Sequence, residues 1–275
     1  LFVPSEVLKR DLNVGTATAG GNTVATDLLS NSFIDSLENA MVVAGLGATM
    51  LRDLNGNVAI PRQTSGATAY WVAESAAVTE SQAAFDQVQM SPKTVGSYSD
   101  ISRKLLLQSS IDIEGFVRND LAMRLAMAID LAAIAGTGSS NQPTGILATT
   151  GIGAKTFAAI GNPTFGEMVD VESQVSVDNA LFGSLAYVST AAMAGAMKQK
   201  AKDSGSGQFV MANNQVNGYN MAVTNQMTAN TVVFGNFADL IIGMWGGLDI
   251  NVDTSTGSSS GTVRVVCLQD VDIAV

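Results

Sequence analysis

One short stretch contains the residue types of a phosphate-binding loop: AIAGTGSSNQPTGIL, residues 133–147. Glycines and small hydroxyl side chains cradle a phosphate when they follow a strand and open a helix, because the helix N-terminus attracts the anion. Here the glycines follow a predicted helix, so the negative end of the helix dipole faces the loop. No Lys or Arg lies between Arg124 and Lys155. The stretch therefore predicts a turn, with Gly136 as a left-handed helix cap and Pro143 ending regular structure.

Candidate catalytic residues are scarce. The sequence has no histidine, which removes the usual general base, the Ser-His and Cys-His pairings and the commonest metal ligand. The single cysteine, Cys267, lies in the apolar run VRVVCL and is interpreted as a core residue. Asp130 is a carboxylate in an apolar helix end, where a hydrogen-bonded structural role is favoured over a catalytic one. We predict no catalytic, cofactor-binding or metal-binding residue, and no enzyme activity.

The composition indicates a protein that buries surface against other copies of itself. The 275 residues are 47% hydrophobic but only 14% charged, against about 25% in an ordinary soluble domain. The formal net charge of −10 is spread over both halves without a basic stripe, so direct nucleic-acid recognition lacks its electrostatic footprint. An uncharged run at 179–197 contains Asn, Ser, Thr and Gly, and it predicts a strand and a capped helix rather than a membrane span.

The N-terminal part of the chain predicts elements with little core of their own. Residues 1–26 have no sustained periodicity and predict an extended arm, and apolar residues at every fourth position predict a short helix over 27–41. A period of two then predicts a long hairpin, with strands at NVAIP (57–61) and ATAYWVAE (67–74) and a later run at FDQVQMSPKTVGSYSDIS (85–102). Such a ribbon is either a solvated hairpin on its own domain or a loop that reaches a neighbouring copy. Its length and thin core favour the second.

The strongest helical pattern covers residues 112–136, which we call the spine helix. Asp112 can cap its start. Opposite charges recur at i,i+4 spacing, pairing Glu114 with Arg118 and Asp120 with Arg124. The last turns are apolar nearly all round, which predicts a buried helix end.

Beyond Lys155 the pattern predicts a compact α+β unit. TFGE (164–167) matches a capping box, and Thr190 is placed to cap a second helix. DSGSG (203–207) predicts a mobile tip. GSLAYVS, YNMAVTNQM and NTVVFG predict strands, and a further strand pair is predicted on either side of TSTGSSSG near the end of the chain.

The order of these parts resembles the major capsid proteins of tailed bacteriophages, which have the HK97-type shell fold. The most specific pieces are GTGSSNQPTGIL after the spine helix and VVFGNFADLIIGMWGGLDI near the end. The resemblance covers nearly the whole chain and implies an α+β fold. It implies an N-terminal arm (1–26), the start of a peripheral domain (27–55), an extended loop (56–98), the peripheral domain with the spine helix (99–155), an axial domain (156–240) and returning strands (241–275).

The resemblance also implies an assembly. Copies would form hexamers and pentamers that close an icosahedral shell around double-stranded DNA, and ring closure demands contacts between two different patches on each copy. We expect the loop patch to include Arg62, Glu74, Glu80 and Lys93, and its partners to be Arg103, Lys104, Arg118 and Arg124. We expect the axial tip, Asp203, Ser204, Gly205, Ser206 and Gly207, to lie at a symmetry axis.

One property of some family members is not expected here. Those members crosslink a lysine of the extended loop to an asparagine on a neighbour. This sequence has no lysine from Asp53 to Pro92, and Lys93 belongs to the returning strand. We therefore expect no such crosslinks.

The resemblance finally implies partners and a location. Portal, scaffold or protease and decoration proteins are implied, together with packaged DNA bound without sequence specificity and no membrane. The location would be the virion capsid, assembled in the bacterial cytoplasm. A chain that begins at Leu1 suits a form from which a scaffolding segment has been cleaved.

Two alternatives remain open from the sequence. An encapsulin has the same shell fold and encloses cargo enzymes instead of a genome. A small hydrolase or binding domain using a carboxylate such as Asp130 would be a monomer with a polar pocket, and the absence of histidine argues against it.

Overall fold

The protein has an α+β fold, in which helices pack on mixed and antiparallel sheets. The computed structural model describes residues 42–108, 113–205, 207–257 and 259–275. The predicted arm at 1–26 and the predicted helix at 27–41 lie outside these residues. Within the described ranges, no helix combines the length and the hydropathy that crossing a bilayer requires.

The three longest strands and one short strand form a four-stranded sheet. Its members are β1 (Thr49–Leu51), β4 (Lys93–Ser102), β10 (Ile241–Asp253) and β11 (Thr262–Ala274), in the order β1-β10-β11-β4. β11 runs antiparallel to both of its neighbours, and β1 runs parallel to β10. Two strand pairs were predicted around TSTGSSSG; the structure instead has one long strand on each side, β10 and β11, which pair with each other.

The spine helix, α2 (Ile113–Ala135), lies against this sheet. The predicted bounds of 112–136 agree with it to within one residue at each end, although Asp112 itself is not described. Arg124 Nε lies 3.3 Å from Asp120 Oδ2, which confirms that predicted pair, whereas the Glu114 side chain is not described. The contact buries Ile101, Leu121, Leu125, Val265 and Cys267.

The turn after the spine helix differs from the prediction in its backbone. Gly136 does not adopt the left-handed conformation, which occurs two residues later at Gly138 with φ 69°. Glycine is required at position 136 for another reason: a Cβ there would lie 2.3 Å from the Pro143 carbonyl oxygen and 2.4 Å from that of Ala132. The predicted cap at Gly136 is thus wrong, and close backbone approach explains the residue.

Residues 164–236, which we call the methionine-rich unit, enclose their own core. α3 (Phe165–Val177) and α4 (Ala191–Gln199) pack with a five-stranded sheet. Its strands, in the order β6-β7-β8-β5-β9, are β5 (Leu185–Ser189), β6 (Met211–Ala212), β7 (Gln215–Val216), β8 (Tyr219–Val223) and β9 (Val232–Asn236). The core contains Met168, Tyr187, Met193, Met197, Val210, Met211, Val216, Met221 and Phe234.

Both predicted helix caps of this unit are present. The Thr164 hydroxyl accepts from the Glu167 N–H, and the Glu167 carboxylate accepts from the Thr164 N–H at 2.7 Å, which completes the capping box. The N–H groups of Thr164 and Ala158 hold the pKa of Glu167 below its usual value. Thr190 accepts from the Met193 N–H at the start of α4.

A separate two-stranded hairpin is formed by β2 (Val58–Ser65) and β3 (Ala84–Met90). The predicted strand at 67–74 is wrong, because these residues have no regular secondary structure. Their apolar and β-branched residues suit a strand, but a strand also needs a hydrogen-bonded partner. The short helix α1 (Arg103–Gln108), directly after β4, was not predicted.

Candidate functional site

The hairpin projects from the four-stranded sheet as an element with no core of its own. β2 has 8 residues, which at about 3.4 Å per residue gives a reach of about 27 Å. Arg62 is paired with Asp86 across the two strands, with Nη2 and Oδ2 3.1 Å apart. The Gln87 N–H and the Arg62 guanidinium lower the pKa of Asp86 below its usual value.

The hairpin tip, residues 66–83, is exposed over nearly its whole length. The Thr68 N–H donates to Ser81 Oγ at 2.9 Å, and Ser81 Oγ donates back to the Thr68 carbonyl at 3.1 Å, so the tip is closed at its neck. Glu74 and Glu80 lie within it and are exposed. Four large apolar side chains of the tip are also exposed: Tyr70, Trp71, Val72 and Val78.

The base of the hairpin packs on the four-stranded sheet. Met90 and Trp245 are buried there and contact Val58, Ile60 and Val88 of the hairpin. Trp245 Nε1 donates to the carbonyl of Gly56, just before β2, at 2.6 Å. The ribbon is therefore held at one end only.

A buried carboxylate fixes the chain where the hairpin returns to the sheet. Asp272, in β11, is 3% exposed. Its Oδ2 accepts from the Ser91 N–H at 2.8 Å, and its Oδ1 lies 2.6 Å from Lys93 Nζ. Lys93, expected in the loop patch, thus lies at the start of β4 with its ammonium turned toward β11.

The predicted partner cations lie on α1 and α2. Arg103 and Lys104 are exposed at the start of α1. Arg124 is paired with Asp120, and Arg118 is half-buried on the spine helix. Of the predicted loop and partner residues, the structure of one copy joins no two in an ion pair within the described ranges.

The axial tip extends from the methionine-rich unit. Asp203, Ser204, Gly205 and Gly207 are exposed, and Ser206 lies outside the described residues. The Lys202 N–H donates to the Gln208 carbonyl at 2.8 Å, which closes the neck of this tip. Lys202 Nζ lies 4.7 Å from the centre of the Phe165 ring.

Asp130 has the structural role favoured from the sequence. It is completely buried near the end of the spine helix, and its Oδ1 accepts from the Val43 N–H at 2.7 Å and from the Val42 N–H at 3.2 Å. Burial raises the pKa of this carboxyl above its ordinary value, although the two N–H groups oppose the shift. The carboxylate fixes the segment on which the described chain begins.

The other candidates for chemistry also have structural environments. Cys267 is fully buried, and burial raises the pKa of its thiol, which is the environment of a structural rather than a reactive cysteine. The GTG stretch follows the C-terminus of α2, as predicted, so its backbone does not form a phosphate cradle at a helix N-terminus. No group of three His, Cys, Asp or Glu residues that could hold a metal occurs among the described residues.

Sequence reasoning did not single out Trp71, Trp245 or Asp272. Asp272 was visible as a charge inside an apolar strand (QDVDIAV), the usual sign of a buried pair. Trp71 lies in the predicted strand 67–74, which does not form, so the sequence did not predict that its side chain is exposed.

Comparison with known proteins identifies the family. The model of the Phage capsid family matches residues 20–275. The chain is 37% identical over 279 residues to the major capsid protein of Halomonas phage phiHAP-1, covering 99% of this chain and 46% of that protein. It is 25% identical over 257 residues to the major capsid protein of Klebsiella oxytoca phage phiKO2, covering 86% of this chain and 59% of that protein. The chain thus spans about half the length of the curated relatives it matches.

Solved structures give the same fold. The capsid of a native GTA particle superposes with a TM-score of 0.79 at 20% identity, covering 96% of this chain and 95% of that chain. Taken with the exposed hairpin, the spine helix and the methionine-rich unit, these matches show that the chain belongs to the phage capsid family and has the HK97-type fold.

Proposed function

We propose that this chain is the structural subunit of a phage shell, assembling as hexamers and pentamers into an icosahedral capsid that encloses double-stranded DNA. The observation that carries the proposal is the hairpin, which is anchored at its base and exposes its whole tip. An exposed apolar ribbon of this kind is a liability in a lone molecule. It becomes useful when a neighbouring copy covers it.

The contact between copies would join the hairpin tip to basic residues of the next copy. Glu74 and Glu80 are the candidate acids of the tip, with Arg62 and Lys93 nearer its base. Their candidate partners are Arg103, Lys104, Arg118 and Arg124. Because one copy contributes two different patches, the contact is heterologous and can close a ring.

The remaining parts of the chain would take the positions that the resemblance implies. The arm (1–26) and the extended loop (56–98) would contact neighbours, and residues 27–55, 99–155 and 241–275 would form the peripheral domain and its returning strands. Residues 156–240 would form the axial domain, with the axial tip at a five-fold or six-fold axis. The exposed position of Asp203 and its neighbours supports that placement.

The proposed partners follow from the same role. The net charge of −10 supports an inner shell surface that does not bind DNA tightly. Packaged DNA would therefore be enclosed without sequence-specific contacts. Portal, scaffold or protease and decoration proteins of the same phage are the other proposed partners. Assembly in the bacterial cytoplasm would place the chain in the virion capsid.

We also propose that the chain is not an enzyme and uses no cofactor. The absence of histidine from the sequence and the buried, hydrogen-bonded state of Asp130 support this. The relatives named above are phage capsid proteins, and they lend no support to the encapsulin or hydrolase alternatives.

The proposal is tested by electron microscopy and light scattering of the purified chain. We expect closed shells, or rings of five and six copies, above a threshold concentration. A monomer at every salt and protein concentration would refute it. Cargo enzymes copurifying inside the shells, with no DNA packaged in the cell, would indicate the encapsulin instead.

Charge reversal then tests the proposed contact. Glu74→Lys with Glu80→Lys should abolish assembly, and adding Arg103→Glu with Lys104→Glu should restore it, since the attraction is re-formed with opposite signs. Asp178→Lys, an exposed acid at the end of α3, is the matched control and should assemble normally. Failure of the quadruple variant to recover would exclude this pairing.

A further inference from the structure

We infer that Trp71 holds the hairpin tip on a second copy of the chain, where it packs on the basic segment formed by Arg103, Lys104 and Leu105. The inference rests on the proposed function, because it needs copies to meet. It names the residue that supplies the binding energy and the surface that receives it.

Trp71 is the most exposed large hydrophobic side chain of the described residues. Its relative exposure is 105%, so no residue in the described part of its own copy covers the indole. It precedes a turn in which the Ala76 N–H donates to the Ala73 carbonyl at 3.0 Å, and the neck of the tip is closed by Thr68 and Ser81. The indole is therefore presented on a closed loop, and a preorganised tryptophan is a frequent binding hot spot.

The receiving segment carries two cations beside an apolar side chain. Arg103 and Lys104 are exposed, and Leu105 is 48% exposed. Within the described part of the chain neither cation has a carboxylate partner. The Arg103 N–H donates to the Gly261 carbonyl at 2.8 Å, which fixes the segment against the sheet. An indole can pack on Leu105 while a cation lies over its face.

Charge complementarity favours the hairpin tip of a second copy as the partner of the segment 103–105. Residues 63–92 contain Glu74, Glu80 and Asp86 but no Lys or Arg, and Asp86 is already neutralised by Arg62. The tip is therefore a negative surface with an aromatic centre. The segment 103–105 is a positive surface with an apolar edge, so each matches the other in both respects.

Another apolar surface of the chain matches the tip less well. A cavity of about 400 Å³ is lined by Ile146, Ile152 and Ile160 and could accept an indole by size. Its lining includes Asp178, and Lys155, the one cation among its described lining residues, is already bound to Asp170 at 2.8 Å. The acids of the tip would find no unpaired cation there.

The two tryptophans make the inference measurable without a label. Trp245 is 9% exposed and hydrogen-bonded, so its emission stays constant, whereas Trp71 is exposed in the free chain. The difference between the spectra of the wild type and Trp71→Phe isolates Trp71. On assembly we expect its emission to shift to shorter wavelength and its quenching by acrylamide to fall.

Variants test the anchor and the surface separately. Trp71→Ala should raise the concentration needed for assembly by roughly ten-fold or more, while Phe182→Ala, an exposed aromatic outside the hairpin, should leave it unchanged. In Arg103→Gln with Lys104→Gln, Trp71 should remain open to acrylamide. Circular dichroism should show all of these variants folded, because the substituted side chains are exposed.

Three results would overturn the inference. Trp71 equally quenchable in shells and in free chains would exclude it as the anchor. Full protection of Trp71 in the Arg103→Gln, Lys104→Gln variant would place its receiving surface elsewhere, such as the cavity around Ile152. A wild-type chain that never assembles would refute the proposed function as well as the inference. The first two results, in contrast, are obtained with shells that do assemble, so they refute the inference alone.

Discussion

The methionine-rich unit and the hairpin are built in opposite ways. In the unit, Tyr187 is fully buried, its ring centre lies 4.3 Å from that of Phe234, and its hydroxyl donates to the Met168 carbonyl. In the hairpin, Met90 at the base is the one buried side chain, and the tip exposes Trp71 completely. The methionine-rich unit buries its apolar side chains within one copy, whereas the hairpin exposes apolar side chains that can contact another copy.

This difference shows where the chain is complete and where it needs a partner. A two-stranded ribbon is marginal in water by itself. Here its base is held by Trp245 and by the Asp272 carboxylate, while no described residue outside the hairpin covers its tip. The fold thus separates folding stability, supplied by the packed regions, from assembly, supplied by the hairpin.

The largest expected difference in stability between the two regions comes from substituting one tyrosine in each of them. Tyr187→Ala should lower the free energy of unfolding by about 3–5 kcal/mol, as for other large aromatic truncations in a core. Tyr70→Ala, in the exposed tip, should leave it nearly unchanged. Urea denaturation of the unassembled chain measures both, and equal losses would show that the tip is packed within the copy.

A smaller effect is expected where the hairpin meets the four-stranded sheet. Asp272→Ala leaves the Lys93 ammonium and the Ser91 N–H without their acceptor and should cost about 2 kcal/mol. Asp249→Ala, an exposed acid of β10, is the control and should cost little. Hydrogen exchange should accelerate through 58–90 in Asp272→Ala alone. Unchanged exchange there would show that Asp272 does not hold the hairpin.

The smallest effect is a pH dependence from Asp130, in the packed part of the chain. Because its pKa is raised in the folded state, the folded state binds this proton more tightly than the unfolded one. Its contribution is therefore greatest below the ordinary carboxyl pKa and is lost as the pH rises through the raised value.

Asp130→Asn removes that titration while keeping an oxygen for the N–H groups of Val42 and Val43. The variant should be at least as stable as the wild type near neutral pH, and the difference should shrink on acidification toward pH 4. Thermal unfolding of the two chains across this range measures it. If the stability of Asp130→Asn relative to the wild type were lower at neutral pH than in acid, the raised pKa of Asp130 would be contradicted.

Local patterns in the sequence predicted much of the fold. The spine helix, the Thr164 and Thr190 caps and the strands β5, β8, β9, β10 and β11 were all predicted, because each depends on residues a few positions apart. The capsid fold itself came from the order of these parts, through their resemblance to a known family.

The errors lie where distant residues decide the structure. Gly136 is required because Pro143 and Ala132 approach it, which no local cap rule contains. Residues 67–74 lack a partner strand despite their strand-like pattern. The contact of Lys93 with Asp272 joins positions 179 apart, so the sequence placed Lys93 on the returning strand but could not identify its partner in β11. The candidate contacts between copies depend on surfaces that only the folded chain presents.

The most direct test of the central claim is hydrogen–deuterium exchange on free chains and on assembled shells of the same preparation. The account predicts strong protection of residues 66–83 on assembly, with little change in the core strands β5 and β8 of the methionine-rich unit. Equal exchange of the tip in both states would contradict it, since the hairpin would then lie uncovered in the shell.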